Sequence, residues 1–305
     1  MASAGNYAKI RRRIRNDRMY YAMFLPVLLF VLVFNYVPML GVSLAFFKFT
    51  PFAQKFIGFD NFADLFFGIK SAHFWKAFGN TLFLSIGNLV LATVFSVVVA
   101  LLLNELVSRK TKGFMQTVLY LPHFMSWVVV ASIFTLILSP QGGLVNTILE
   151  KFGIEPTYFL AQKKWWTPIF LFIARWKETG WGTIIYLAAL SGINPELYEA
   201  AEVDGAGKWK QVFLVTLPAI TTTILIVFIL NLGKVMNIFE SVFVLQNPNV
   251  YDVGDVLTTF AYRVGVQQGN YGIGTAIDLF KSFIGLFLVL GTDAVNRKIR
   301  GSSVL

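Results

Sequence analysis

The sequence contains no cysteine and only two histidines, His73 and His123, among its 305 residues. A chain without cysteine forms no disulfides and offers no thiolate ligands to a metal. Two histidines leave little room for a histidine metal site or a catalytic triad, and we expect both to lie in loops or at helix ends. The sequence therefore predicts no metal site and no catalytic residues.

Charged residues are also scarce: they make up 14% of the chain, whereas 56% of it is hydrophobic. Soluble domains usually contain about a quarter charged residues, so this composition predicts a membrane protein. A helix needs roughly 20 apolar residues to cross a bilayer. Six stretches are long enough, at 20–46, 79–103, 117–138, 167–190, 213–235 and 273–294.

The apolar stretches are continuous and do not alternate with polar residues, which indicates helices and not a barrel. The predicted fold class is therefore all-α, a polytopic bundle of six transmembrane helices over 20–294. The first stretch follows an Arg-rich start at 9–18. At about 27 residues it is too long for the core of a signal peptide, so we interpret it as a retained first span.

The distribution of basic residues predicts the orientation. Six spans put both termini on one side of the membrane, together with 104–116 and 191–212. That side holds 14 of the 26 Lys and Arg residues, namely Lys9, Arg11, Arg12, Arg13, Arg15, Arg18, Arg109, Lys110, Lys112, Lys208, Lys210, Arg297, Lys298 and Arg300. The positive-inside rule then places the basic segment 1–19 and the tail 295–305 in the cytoplasm. Anionic lipid headgroups account for the net charge of +10 without any nucleic acid partner.

The segment 194–212 is hydrophilic and lies between two long apolar stretches. Asn194-Pro195 predicts the start of a short helix and Gly205 its end. The helix has small residues that permit a close backbone approach. Its acidic residues fit a protein partner better than an anionic lipid surface.

The same segment contains GAGK at 205–208, which is not a phosphate-binding loop. That motif needs glycine at 202 and a hydroxyl residue at 209, where the chain has Glu202 and Trp209.

The hydrophilic segment and the start of the next apolar stretch resemble the EAA loop of ATP-binding-cassette importer permeases. The residues that carry this resemblance are Glu199-Ala200-Ala201, Gly205, Val215 and Leu217-Pro218, with Val215 where isoleucine is usual. Other stretches are similar to the carbohydrate branch of these permeases (MalF/MalG-like, of the LplB type for complex oligosaccharides and polysaccharides). These are 121–127, 176–190, 194–211, 244–271 and 274–292.

This resemblance covers nearly the whole chain and implies a transport subunit, not an enzyme, with the type I importer permease fold, in a bacterial cytoplasmic (inner) membrane. It implies a second permease subunit as heterodimer partner, two ATP-binding cassette subunits that carry ATP and Mg²⁺, and an extracytoplasmic solute-binding protein. The chain itself binds no cofactor. The resemblance assigns coupling to the ATPase to Glu199, Ala200, Ala201, Asp204, Gly205, Leu217 and Pro218.

Charged residues inside the fourth span mark a candidate substrate pathway. Arg175, Lys177 and Glu178 lie near its middle, where each charge costs about 2.5 to 3.5 kcal/mol. We therefore expect them to face the bundle interior or a wet cavity. Trp176 and Trp181 flank them and would either stack on sugar rings or belong to an interface belt. The alternative is an Arg175–Glu178 ion pair that only holds helices together.

Polar residues on the other spans extend the candidate pathway. They are Asn88 in a stripe with Thr81 and Ser85, Asn231 with Lys234, and Asp278 with Lys281. Interhelical hydrogen bonds and ion pairs are the alternative role for all of them. The excess of Lys and Arg would favour an acidic sugar such as a polyuronate.

Two other classes of protein are alternatives. An ion-coupled secondary transporter often has paired broken helices in two halves, but it leaves the EAA spacing unexplained. An intramembrane enzyme needs a catalytic constellation that the sequence lacks. Co-purification of an ATPase subunit would distinguish a permease from both.

Overall fold

A computed structural model describes residues 16–50 and 53–300 of the chain. The predicted basic segment 1–19 and the predicted tail 295–305 thus lie partly outside the described residues. The helices in chain order are α1 (Arg18–Phe46), α2 (Asp60–Phe67), α3 (Ser71–Asn104), α4 (Arg109–Phe124), α5 (Trp127–Ile137), α6 (Leu144–Glu150), α7 (Lys163–Ser191), α8 (Glu196–Val203), α9 (Lys208–Leu232), α10 (Glu240–Leu245), α11 (Tyr251–Gly254), α12 (Leu257–Tyr262) and α13 (Tyr271–Arg300).

Shorter elements connect these helices. A small antiparallel hairpin, β1 (Phe47–Thr50) and β2 (Ala53–Phe56), pairs Phe47 with Phe56 and adds two strands to the predicted all-α fold. Single 3-10 turns lie at Phe159–Ala161, Val235–Asn237 and Pro248–Val250, and a π-helical turn at Arg263–Gln267.

Five of the six predicted spans coincide with long helices. α1, α3, α9 and the Tyr271–Ala294 part of α13 are apolar enough to cross a membrane. α7 is less apolar than these four helices because Arg175, Lys177 and Glu178 lie in its middle. Its 29 residues nevertheless extend about 44 Å, which exceeds the hydrocarbon core of a bilayer.

The predicted third span, 117–138, departs from a single continuous helix. It consists of the second half of α4 and of α5, which meet at an angle of 100°. The cause is local: Pro122 lies in a closing 3-10 turn, Met125 is extended, and the Ser126 side chain caps α5 by accepting a hydrogen bond from the Val129 amide.

Two of the long helices contain a π-helical turn directly before a proline. The turn Leu32–Tyr36 precedes Pro38 in α1, and the turn Val212–Thr216 precedes Pro218 in α9. Proline lacks an amide hydrogen and its ring crowds the carbonyl four residues earlier. The local change in hydrogen-bond register accommodates this proline without ending the helix.

Buried side chains form the interior around α3 and α7, which make the most extensive helix contact in the described chain. By contrast, no residue in the apolar window of α1 is buried. α1 joins the bundle only near its end, where Ala45 packs in a cluster with Phe74 and Ile277. The apolar length of α1 is thus available to lipid or to another subunit.

Gly180 is a point of close contact between α4 and α7. A methyl group on this glycine would lie 1.9 Å from the Leu119 carbonyl oxygen, which is part of the helix backbone and cannot rotate away. Gly180 therefore sets how closely the bent pair α4–α5 approaches α7.

We predict that Gly180→Ala lowers the thermal unfolding midpoint, because the methyl group must push α4 and α7 apart at a cost of about 1 to 3 kcal/mol. Gly87→Ala is the matched control, since a methyl group at this position in α3 meets no atom within 4 Å. Thermal unfolding of the two variants in the same detergent measures the difference. Equal midpoints would contradict the assigned contact.

Candidate functional site: a central polar cavity and an exposed polar helix

A cavity of about 380 Å³ lies between α3, α7 and α9 and is open to the surface of the subunit. Its wall combines apolar side chains with polar and charged ones. Six of the ten predicted pathway residues line it, namely Asn88, Arg175, Glu178, Trp181, Asn231 and Lys234. The cavity is therefore the place where residues of three separate spans come together.

Arg175 is the most deeply buried cation in this wall, with 7% of its surface exposed. Its guanidinium donates a hydrogen bond to Asn88 Oδ1 at 2.5 Å, and its buried Nε has no partner among the described residues. A guanidinium has five N–H donors, and the partner on α3 is a neutral amide. Arg175 thus brings a positive charge to the cavity wall, whereas its Nε–H is enclosed by the protein.

Glu178 makes two contacts that the sequence did not predict together. Its carboxylate accepts a hydrogen bond from Lys177 Nζ at 2.9 Å and lies 2.7 Å from His123 Nδ1. Arg175 and Glu178, the predicted alternative pair, make no direct ion pair, although the charge of Glu178 still acts on Arg175 from one helical turn away. Glu178 also lines the cavity, so one carboxylate belongs both to the cavity wall and to a contact between α7 and the end of α4.

Lys177 and Trp181 complete this polar cluster. Lys177 Nζ also donates to the His123 carbonyl oxygen at 2.8 Å and lies 5.4 Å from the centre of the Trp127 ring. Trp181 stacks on the His123 imidazole, with centroids 4.5 Å apart and rings 3° from parallel. His123 lies in the last turn of α4 and Trp127 begins α5, so this turn of α7 holds both sides of the bend.

His123 is a site residue that sequence reasoning missed. Its expected position at a helix end is confirmed, because it lies in the 3-10 turn that closes α4. The sequence did indicate that Glu178 needs a hydrogen-bond or charge partner within the membrane, and His123 is such a partner. The number of residues between them, however, gives no indication that α4 and α7 are neighbours.

One predicted pathway residue of α7 and one residue of the polar stripe on α3 have other contacts. Trp176 packs edge-on against Phe134 of α5, at 5.3 Å between ring centres, and does not line the cavity. Thr81 lies above the cavity on α3, where its hydroxyl accepts a hydrogen bond from the Leu257 amide. For Thr81 the expected alternative of an interhelical hydrogen bond is confirmed.

Asp278 and Lys281 form the ion pair that their spacing in α13 predicts, at 2.9 Å. They line a second cavity, also of about 380 Å³, and not the central one. Eight of the ten predicted pathway residues therefore line two cavities of the same subunit, and the other two, Trp176 and Lys177, line neither of these cavities.

The hydrophilic segment 194–212 contains the predicted short helix, α8. The Asn194 side chain accepts a hydrogen bond from the Glu196 amide at its start, and Gly205 follows its end with φ of 75°. Glu199, Ala200 and Asp204 are exposed. The face of α8 is therefore free to contact another protein.

Hydrogen bonds join α8 to the first turns of α9. The Tyr198 hydroxyl lies 3.0 Å from Thr216 Oγ1, and Gln211 Nε2 donates to the Ala206 carbonyl at 3.1 Å. Thr216 closes the π-helical turn, and Leu217 and Pro218 continue α9 from there. At its other end α9 carries Asn231, and Lys234 follows, so one helix connects α8 to the central cavity.

No group of three His, Cys, Asp or Glu side chains in the described part of the chain is placed to hold a metal ion.

The sequence matches a known protein family over residues 92–301, described as "Binding-protein-dependent transport system inner membrane component". The chain belongs to this family. It is therefore a multi-pass component of a transport system in the inner membrane and not an enzyme, as the sequence predicted.

Individual relatives agree over nearly the full length. The chain is 36% identical to Protein LplB of Bacillus subtilis, covering 97% of this chain and 94% of that protein. It is 38% identical to the polygalacturonan/rhamnogalacturonan transport system permease protein YteP of the same organism, covering 91% and 87%. The predicted resemblance to carbohydrate permeases of the LplB type is confirmed.

Solved structures confirm the fold. A chain of a bacterial ABC transporter involved in the import of the acidic polysaccharide alginate superposes with a TM-score of 0.88 at 39% identity, covering 96% of this chain and 99% of that one. A second structure, of a bacterial alginate ABC transporter in complex with an alginate pentasaccharide-bound periplasmic protein, gives 0.86 at 38% identity, with 96% and 99% covered. The chain has the importer permease fold expected from the sequence.

We predict that Glu178→Gln lowers the thermal unfolding midpoint, because it leaves the Lys177 ammonium, whose side chain is 6% exposed, without its counter-charge. Removing one partner of a buried pair costs on the order of 3 kcal/mol. The double variant Lys177→Met/Glu178→Gln should recover part of this loss. Exposed Glu155→Gln serves as the control, and an equal midpoint for both single variants would contradict the cluster's structural role.

Proposed function

We propose that this chain is the permease subunit of an ATP-driven importer whose cargo is an acidic oligosaccharide or polysaccharide fragment. The observation that carries the proposal is the Arg175 guanidinium, which lines the central cavity and whose side-chain hydrogen-bond partner is the neutral amide of Asn88. A sugar carboxylate in the cavity would lie beside this positive charge and balance it.

Two further features support an acidic cargo. Lys234 lines the same cavity and is exposed within it, whereas the Glu178 carboxylate is already bound to Lys177 and His123. The positive charge of the wall therefore exceeds the negative charge. Among the relatives, the structural neighbour is described as importing the acidic polysaccharide alginate.

Family membership and the exposed helix α8 support the rest of the proposed assembly. A second permease subunit would complete the pathway as a heterodimer partner, and the exposed apolar length of α1 is available to it. An extracytoplasmic solute-binding protein would deliver the sugar, as the periplasmic protein in the alginate transporter complex suggests. Two ATP-binding cassette subunits would bind and hydrolyse ATP with Mg²⁺.

Coupling to those ATPase subunits is assigned to α8. This proposal places both termini and the 194–212 segment on the cytoplasmic side, in agreement with the positive-inside rule. Closure of the ATPase dimer would displace α8, and the contacts of Tyr198 with Thr216 and of Gln211 with Ala206 would pass the movement to α9.

Reconstitution into proteoliposomes tests the function. The chain is assembled with the permease, ATPase and binding protein encoded beside it, and uptake of alginate oligosaccharides is compared with uptake of neutral maltooligosaccharides of equal length. We expect uptake that requires ATP and the binding protein and favours the acidic sugars. Uptake driven by an ion gradient alone would support the secondary transporter instead.

We predict that Arg175→Ala lowers uptake of the acidic sugar by about tenfold or more, because a charge-assisted hydrogen bond is worth roughly 1.5 to 3 kcal/mol. Arg175→Lys keeps the charge but loses the planar set of donors, so its effect should be smaller. Radiolabelled uptake at equal complex content measures both variants. Unchanged uptake by the alanine variant would remove Arg175 from the pathway.

We predict that Gly205→Val abolishes sugar-stimulated ATP hydrolysis while the protein still inserts in the membrane. Gly205 has a left-handed backbone conformation, which is less stable by about 1 to 2 kcal/mol for a residue with a side chain. Valine at this position would therefore change the backbone turn that ends α8. Gly207→Val is the matched control, because both sites are open but Gly207 has an ordinary φ of −67°. Normal stimulation in the Gly205 variant would refute the coupling assignment.

A further inference from the structure

We propose that the second cavity is a separate saccharide subsite that binds sugar hydroxyls and gives the transporter a preference for longer chains. This inference rests on the proposed function. It concerns the cavity between α12, the π-helical turn Arg263–Gln267 and α13.

The position of its charged residues indicates that this cavity has a polar environment. Lys281 lies ten helical rises, about 15 Å, below Tyr271 at the outer start of α13, which is close to the middle of a bilayer. Its partner Asp278 has 55% of its side chain exposed, against 17% for Lys281. An exposed carboxylate at this depth requires a polar neighbour, which is water, a polar ligand or the second permease subunit, and not lipid.

The aromatic side chains of the cavity are held in fixed positions. Tyr262 packs edge-on against Phe239 and Phe243, with ring centres 5.7 and 5.2 Å apart. Tyr271, on the other side, packs edge-on against Phe49 at 5.2 Å. Rigid rings present an apolar surface beside polar groups at a small entropic cost, which suits the faces and hydroxyls of a sugar.

The backbone wall of the cavity is also preformed. A methyl group on Gly274 would lie 2.7 Å from the Gly265 Cα, so the π-helical turn and α13 touch through their backbones. The turn is held from its other side by an ion pair between Arg263 and Asp255. Burial by itself lowers the pKa of Arg263, but the hydrogen bonds and charge of Asp255 raise it overall, so the guanidinium stays charged.

The charge of the second cavity differs from that of the central one. Asp278 and Lys281 neutralise each other, whereas Arg175 in the central cavity has a neutral partner. A paired carboxylate and ammonium can still accept from and donate to hydroxyl groups. The second subsite therefore suits any hexose unit, and the central cavity supplies the recognition of the acidic group.

The two cavities meet at Asn237, which lines both of them. Asn237 ends the 3-10 turn that follows α9, and its side chain is exposed. A sugar chain that fills the central cavity would pass Asn237 to reach Tyr262. A disaccharide can occupy one cavity only, whereas a longer oligosaccharide can occupy both.

Uptake as a function of chain length tests this inference in proteoliposomes that hold the complete importer. The probes are alginate oligosaccharides from disaccharide to pentasaccharide. The variants are Tyr262→Ala, which removes a ring, and Thr275→Val, a change of nearly equal volume in the same cavity. Tyr158→Ala is the control, since this exposed tyrosine lies outside both cavities.

We expect Tyr262→Ala to reduce pentasaccharide uptake by roughly fivefold, the effect of losing one aromatic contact, while disaccharide uptake stays near the wild-type rate. Thr275→Val should show a smaller loss with the same dependence on length. Uptake by the wild-type importer tests the proposed function, and the dependence of the loss on chain length tests the second subsite. The proposed function can therefore hold even if the subsite is wrong. An equal loss at every length, or no loss at any length, would overturn the subsite.

Discussion

The three charged residues in the middle of α7 impose the constraint on which the rest of this structure depends. Arg175, Lys177 and Glu178 occupy a helix that has to cross lipid, where an unpaired charge is costly. The fold satisfies each one differently. Lys177 and Glu178 bind the bend between α4 and α5, whereas Arg175 faces the cavity beside Asn88. The helix is thus stable in the membrane only when its neighbours are in place.

This constraint connects the two ends of the proposed transport mechanism. Glu178 and Trp181 line the central cavity and also hold His123, so a change at the cavity also affects the bend. On the opposite wall, α9 carries Asn231 near the cavity and joins α8 through its π-helical turn. Movement of α8 would therefore reach the cavity along one continuous helix. The π-helical turn before Pro218 shifts the backbone hydrogen bonds of α9 so that the helix continues past this proline.

Local features were predictable from the sequence because their causes lie close together in the chain. The apolar stretches predicted five of the long helices. Asn194-Pro195 and Gly205 predicted the limits of α8. The i, i+3 spacing predicted the ion pair of Asp278 and Lys281. Contacts between distant segments were not predictable. Neither the stacking of His123 on Trp181 nor the division of the pathway residues between two cavities leaves a periodic signal, because both depend on how helices pack.

Water access at the cavity depth tests the central claim most directly, and the absence of cysteine makes the measurement clean. Asn231→Cys in the cavity wall is compared with its neighbour Leu230→Cys, which lies at the same depth, is exposed and does not line the cavity. In membranes, a charged thiol reagent should modify only the former, and bound acidic oligosaccharide should slow that reaction. No modification of Asn231→Cys, or equal modification of both, would contradict a hydrated substrate cavity beside α7.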